Sequence, residues 1–167
     1  MLRRNTKDRI LQKVKNIMDT FKLLLQNKIL ISAVVGWTVA QVLKTLIYIY
    51  LNRKFVAERL VGSGGMPSSH SATVCALATA TVIQYGVGSF EFAMSTIFAI
   101  VVMYDAMGVR RETGIQAKVL NEMIDLFAKM NENLSVEDKL KEFVGHTPLQ
   151  VLMGAILGIV LAIMITA

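Results

Sequence analysis

A chain of 167 residues that is 54% hydrophobic, with 2 prolines and a mean hydropathy of +0.52, is too apolar for a small soluble domain, which has no outer layer to bury all-round apolar helices. Its net charge of +6 gathers in the first 28 residues, where no aromatic-rich motif accompanies it, so the charge points to anionic lipid and not to nucleic acid. The single cysteine, Cys75, excludes an intrachain disulfide and leaves the compartment open.

Residues 1–27 come first as a separate unit. Arg3, Arg4, Lys7, Arg9, Lys13, Lys15, Lys22 and Lys28 alternate with Leu11, Val14, Ile17, Met18, Phe21, Leu24 and Leu25 at helical spacing. That pattern predicts a basic amphipathic helix lying on a membrane surface, and the absence of a short apolar run with a small-residue cleavage site excludes a secretory signal. Residues 28–167 form the membrane-embedded unit, in which four apolar stretches predict an all-α, four-helix transmembrane bundle: about 29–51, 68–87, 90–107 and 148–167. A loop (52–67) follows the first, a tight turn joins the second to the third, and a polar excursion (108–146) precedes the fourth. Within the excursion, Ile115, Val119, Met123, Leu126, Phe127 and Met130 trace one face of an amphipathic helix. Ser135 with Asp138 predicts the capping box of a second short one. Ala72, Ala76, Ala80, Gly154 and Gly158 are the small residues expected at close helix contacts.

Both histidines stand at the starts of membrane helices. His70 ends Pro67-Ser68-Ser69-His70, after Gly64 and Gly65; His146 lies in Gly145-His146-Thr147-Pro148. Free N–H groups and the positive dipole end make each helix start an anion site, although Ser68 and Thr147 also read as ordinary N-caps and Pro148 as a first-turn proline. Asp105 is near the end of the third helix, followed by Arg110 and Arg111, which suit a bidentate phosphate clamp or a stop-transfer anchor. Asp105 needs a partner, and these arginines or a histidine are the candidates. On the first membrane helix Gln41, Lys44 and Tyr48 form a polar stripe facing the bundle interior, with Lys44 either contacting phosphate or snorkelling to the interface.

Helix parity sorts these residues. Because the second and third helices form a hairpin, the end of the first, the start of the second, the end of the third and the start of the fourth share one membrane face. That face carries Lys44, Arg53, His70, Asp105, Arg110, Arg111, Lys141 and His146, whereas the opposite hairpin end offers only Glu91.

Three blocks, Gly-Gly-Met-Pro-Ser-Ser-His-Ser-Ala from Gly64, Asp-Ala-Met-Gly-Val-Arg-Arg-x-x-Gly-x-Gln-Ala from Asp105, and Leu-Lys-Glu-x-x-Gly-His-Thr-Pro from Leu140, together resemble the divergent branch of the type 2 phosphatidic acid phosphatases. The resemblance covers about residues 28–167. It implies a phosphatase-like site in which His70 is the general acid and His146 the phosphorylated nucleophile, with Lys44, Arg53 and Lys141 nearest the places of the superfamily's phosphate-holding residues; the residues' own chemistry adds Ser68, Ser69, Arg110 and Arg111 to the expected phosphate contacts. The departures from the wider superfamily are specific. Eight residues separate Lys44 from Arg53 where the motif has six, and no proline follows Arg53. Leu140 stands six before His146, where an arginine belongs, with Lys141 beside it. Ser69 replaces a glycine, and Gln150 occupies the place of a carboxylate.

Two functions follow. The first is a metal-independent membrane hydrolase of a lipid phosphate or diphosphate, without cofactor, working through a phosphohistidine. The alternative is a non-enzymatic protein that binds or translocates anionic lipid in the same basic pocket. A metal site of His70, His146 and Asp105 is disfavoured because the arginines crowd out a cation. Gln150, four residues after His146, is expected either to orient the imidazole or to complete a capping box with Thr147. The basic N-terminal segment places the site on the extracytoplasmic face of a bacterial plasma membrane, and the oligomeric state stays open.

Overall fold

A computed structural model describes residues 2–56, 64–130, 140 and 145–167, with side chains from residue 9 onward. These residues form six helices and no strand: α1 (Leu2–Gln26), α2 (Lys28–Asn52), α3 (Ser69–Tyr85), α4 (Phe90–Met107), α5 (Val109–Met130) and α6 (Pro148–Thr166). The predicted second helix of the excursion, from Ser135, lies outside the described residues, as does Lys141.

Local chemistry sets the boundaries. The Asn27 side chain accepts the Leu30 N–H at 3.0 Å and so starts α2 with only Asn27 between it and α1. Arg53 closes α2 in the left-handed region, with φ 52°. Ser68, Ser89 and Thr147 cap α3, α4 and α6 through their hydroxyls, and Pro148 fills the first turn of α6, where its missing N–H costs nothing.

The packing is inside out relative to a soluble bundle. Most of the buried apolar residues are alanines: Ala33, Ala40, Ala72, Ala76, Ala80, Ala99, Ala106, Ala117 and Ala162. The largest side chains that are fully buried are only serines, Ser32, Ser68 and Ser71. Large apolar groups face outward instead, among them Trp37, Ile97, Phe98, Ile156 and Ile163. In water this surface would be an aggregation hazard; in lipid it is the expected one, because hydrocarbon removes the drive to bury leucine and rewards close backbone approach. The approach is extreme along α3. A Cβ on Gly154 would collide with the Ser68 carbonyl and one on Gly158 with the Ala72 carbonyl, while from the other side a Cβ on Gly36 of α2 would come within 3.0–3.1 Å of the Ala72 carbonyl and the Ala76 methyl. Gly154, Gly158 and the α3 alanines behave as expected from the sequence; Gly36 is an additional member.

Helix α3 therefore sits between α2, α4 and α6. By length and composition, α2, the α4–α5 stretch and α6 are the helices able to cross a membrane. α3 differs from the expected fourth span. It has 17 residues, about 26 Å at 1.5 Å per residue against about 30 Å of hydrocarbon, and it is rich in Ser and Thr. Its hydroxyls are satisfied along the helix, Thr73 and Thr81 donating to the Ser69 and Leu77 carbonyls at 2.7 Å, so the surrounding helices can accommodate it.

Both amphipathic helices stand apart. Among the described helices, α1 touches only α2, and α5 touches only α4. Ile10, Leu11, Val14, Ile17, Met18, Phe21, Leu24 and Leu25 of α1 are exposed, and so is the predicted apolar face of α5 from Ile115 to Met130.

Candidate functional site

Four helix ends meet where parity places them. The Ser68 N–H donates to the Gln150 carbonyl at 3.0 Å, tying the start of α3 to the first turn of α6. The His146 N–H donates to the Ala106 carbonyl at 2.9 Å, tying the approach to α6 to the end of α4. Gly145, with φ 102°, lets this segment press against the backbone of Arg110 and Arg111, where a side chain would collide. From the fourth side, the Lys44 stem of α2 packs under the Gly64–Pro67 turn, against Gly65. The opposite end is joined by Lys28 Nζ donating to the Thr166 carbonyl at 3.4 Å.

The two imidazoles face each other here, ring centroids 6.0 Å apart and planes at 61°. His146 is 3% exposed, and its Nδ1 is 3.1 Å from Gln150 Oε1. The same oxygen accepts the Thr147 backbone N–H at 3.1 Å. A backbone N–H can only donate, so the side-chain atom it meets is the amide oxygen, and an amide oxygen can only accept. His146 Nδ1 therefore carries the proton and Nε2 the free lone pair. The two expectations for Gln150 are thus not alternatives. One oxygen closes the capping box with Thr147 and fixes the imidazole tautomer. Burial holds His146 below the ordinary value of 6.5; the Gln150 hydrogen bond opposes this, and the charges of Lys44 and Arg110 add to it. The ring is accordingly neutral at pH 7. His70 is half-buried, and its Nδ1 is buried without a hydrogen-bond partner among the described residues.

The cations divide into two groups. Lys44, only 4% exposed, does not snorkel, and its charge and that of Arg110 act on both imidazoles. Arg110 is half-buried and reaches Asp105 through Nε, an ion pair spanning the Gly108 break between α4 and α5. This identifies the partner that Asp105 needed. Arg53 and Arg111 are exposed and are not among the charges felt by either histidine, so the structure does not draw them into the cluster. Ser69 is buried, and Ser68 is fully buried, its Oγ accepting the Ser71 N–H at 3.3 Å and the Ser71 hydroxyl at 3.0 Å. Gln41, one turn below Lys44, is also buried, and its Oε1 has no partner among the described residues. Its place on the polar stripe was visible in the sequence; its isolation was not.

A helical membrane protein with two converging histidines, two adjacent cations and two helix N-termini at one end of its bundle is the class this architecture defines. The chain belongs to the Divergent PAP2 family, which it matches over residues 25–161. It is also 40% identical over 151 residues to a Bacillus subtilis (strain 168) protein named "uncharacterized membrane protein YuiD", an alignment covering 85% of this chain and 96% of that one. No solved structure matches it.

Proposed function

We propose that this membrane protein hydrolyses a lipid phosphate or diphosphate through a phosphohistidine, without a metal ion. The observation that carries the reading is the His146 tautomer: Nδ1–H held by Gln150 leaves Nε2 as a nucleophile 6.0 Å, ring to ring, from a second imidazole. In the proposed reaction the Nε2 lone pair forms the P–N bond as the P–O bond to the leaving group breaks. His70 gives its proton to the departing oxygen. Water, deprotonated by His70, then attacks phosphorus, the P–N bond breaks, and phosphate leaves. Lys44, Arg110 and the N-terminal amides of α3 and α6 stabilise the equatorial oxygens. Arg53 and Arg111, exposed beside the cluster, are assigned to the rim, where they attract the anionic head group, and Lys141 is proposed as a further phosphate contact. Basic α1 lies on anionic lipid, and the site faces out of a bacterial plasma membrane. Labelling of Ser63→Cys in a Cys75→Ala background from outside intact cells tests that orientation.

The central assay is phosphate release from phosphatidate or a polyprenyl diphosphate by the purified full chain in detergent with EDTA present. Release that disappears in His146→Ala supports the reading. No release from any lipid phosphate, or full activity in His146→Ala, overturns it. A non-enzymatic anionic-lipid protein using the same pocket is favoured by the Leu140 and Gln150 departures, and it predicts phosphatidate binding without turnover in wild type and variant alike.

A further inference from the structure

Helix α5 fixes one side against its own chain and leaves the other bare. Its buried or half-buried positions are Arg110, Gly114, Ala117, Asn121, Ile124 and Ala128, a single stripe at three- and four-residue spacing. That side is pinned: Gly145 presses on the backbone at Arg110 and Arg111, and Asn121 exchanges two 2.9 Å hydrogen bonds with the Leu140 backbone. Ile115, Val119, Met123, Leu126, Phe127 and Met130 are all exposed. At 3.6 residues per turn their arc is centred roughly opposite the pinned stripe, so they are aimed away from the protein. Small residues inward and large ones outward is also the pattern of the membrane-spanning helices. Yet α5 cannot span. It carries Arg110, Arg111, Glu112, Lys118, Glu122, Asp125 and Lys129, a charge load that hydrocarbon does not admit. A helix of this kind satisfies both faces only at the boundary between lipid and water. Its starting point is that boundary: α5 begins just past Gly108, where α4 ends, and Tyr104, 74% exposed on the last turn of α4, is the type of residue that sits at headgroup depth.

We infer that α5 lies on the bilayer surface at the histidine end of the bundle, with the Ile115–Met130 apolar face sunk into the headgroup–acyl boundary. Standing upright, 22 residues would carry that face about 33 Å into water. The width of the face selects lipid over a second copy of the chain. Including Leu120, the apolar arc covers roughly 140°, which suits a flat lipid surface, whereas a two-helix seam uses a narrower stripe. The charges select the mode of binding. Four basic residues of α5 stand beside three acidic ones, and Lys118 pairs with Glu122 at 3.9 Å, so little net charge remains to attract anionic lipid. Apolar area drives the docking, and zwitterionic lipid suffices. Helix α1, at the other end of the bundle, has seven basic residues against two acidic ones and is of the opposite type. The inference is independent of the proposed hydrolysis.

The test uses the full chain in a Cys75→Ala background with one new cysteine, Met123→Cys on the apolar face or Lys118→Cys on the charged edge, each carrying a polarity-sensitive fluorophore. The protein is reconstituted in phosphatidylcholine nanodiscs, with or without phosphatidylcholine bearing a nitroxide near the head of one acyl chain. At Met123 the emission should shift to the blue, and the nitroxide lipid should quench it at least about threefold more strongly than at Lys118. Replacing part of the phosphatidylcholine by phosphatidylglycerol should change neither reading. If Met123→Cys does not accumulate, Leu126→Cys on the same face serves instead. Equal quenching and equally water-like emission at both positions overturn the inference. So does a blue-shifted Met123 probe that nitroxide lipid leaves unquenched, with Met123→Cys chains crosslinking to one another, because a second copy then covers the face. Insertion that occurs only with phosphatidylglycerol present overturns docking by apolar area. No arm reads turnover, so absence of phosphate release by the wild type removes the hydrolase reading and leaves the position of α5 untouched.

Discussion

Replacing Gln150 by alanine removes one oxygen that accepts two hydrogen bonds, from His146 Nδ1 and from the Thr147 N–H, each at 3.1 Å. The losses separate into two measurements. Loss of the capping box costs about 0.5–2 kcal/mol of stability and shows as a lower melting temperature. The neutral hydrogen bond to the ring is worth about 0.5–1.5 kcal/mol, so its loss returns a several-fold fraction of His146 to the wrong tautomer and frees the ring to turn. With the misorientation included, turnover should fall about ten- to a hundredfold, a barrier increase of about 1.4–2.7 kcal/mol. Gln150→Glu retains both acceptors and adds a negative charge beside the imidazole. It should keep or increase turnover and move the acid limb of the rate profile to higher pH, because the carboxylate favours the protonated ring. A merely structural glutamine would not shift that limb. Phosphate release from phosphatidate across pH, with thermal melts of the same preparations, reads all three quantities. Unchanged turnover in Gln150→Ala alongside a lower melting temperature would refute the orienting role and weaken His146 as nucleophile.

In the wild type, burial holds His146 below its ordinary 6.5, so the acid limb of kcat/KM, on which His146 takes up a proton, should be centred below pH 6.5; an acid limb centred above 6.5 would contradict this. Stability has the same sign. As pH falls below 6.5 the unfolded imidazole takes a proton that folded His146 resists, so melting temperature should fall from pH 7 to pH 5 by more in wild type than in His146→Gln. Gly158→Ala drives a methyl into the Ala72 carbonyl and should cost several kcal/mol or abolish folding, whereas Gly88→Ala meets nothing within 4 Å and should stay within about 0.5 kcal/mol; thermal melts compare them. Asp105→Asn breaks a partly exposed ion pair with Arg110 and should cost about 1 kcal/mol or less, a larger loss indicating a buried network. Asn121→Ala removes both hydrogen bonds to the Leu140 backbone, each 2.9 Å, and should lower stability by about 1–3 kcal/mol in the same melts.

The amino-acid sequence by itself determined where the helices begin and end and which face collects the polar groups. Capping by Asn27, Ser68, Ser89 and Thr147 acts over three residues, and helix parity follows from a hairpin turn too short to permit another path. Those signals are local, and a linear reading can find them. Which cations converge was decided only by the tertiary structure. Lys44 and Arg110 turn toward the imidazoles while Arg53 and Arg111 remain outside, a difference set by the rotation of each helix about its axis. That rotation depends on contacts such as Gly36, Gly154 and Gly158 against the α3 backbone, and glycine in an apolar helix does not announce the face it will meet. The centrality of α3 was hidden for a related reason. Hydropathy ranks a helix by its affinity for lipid, and a Ser/Thr-rich helix enclosed by three neighbours has little lipid to satisfy.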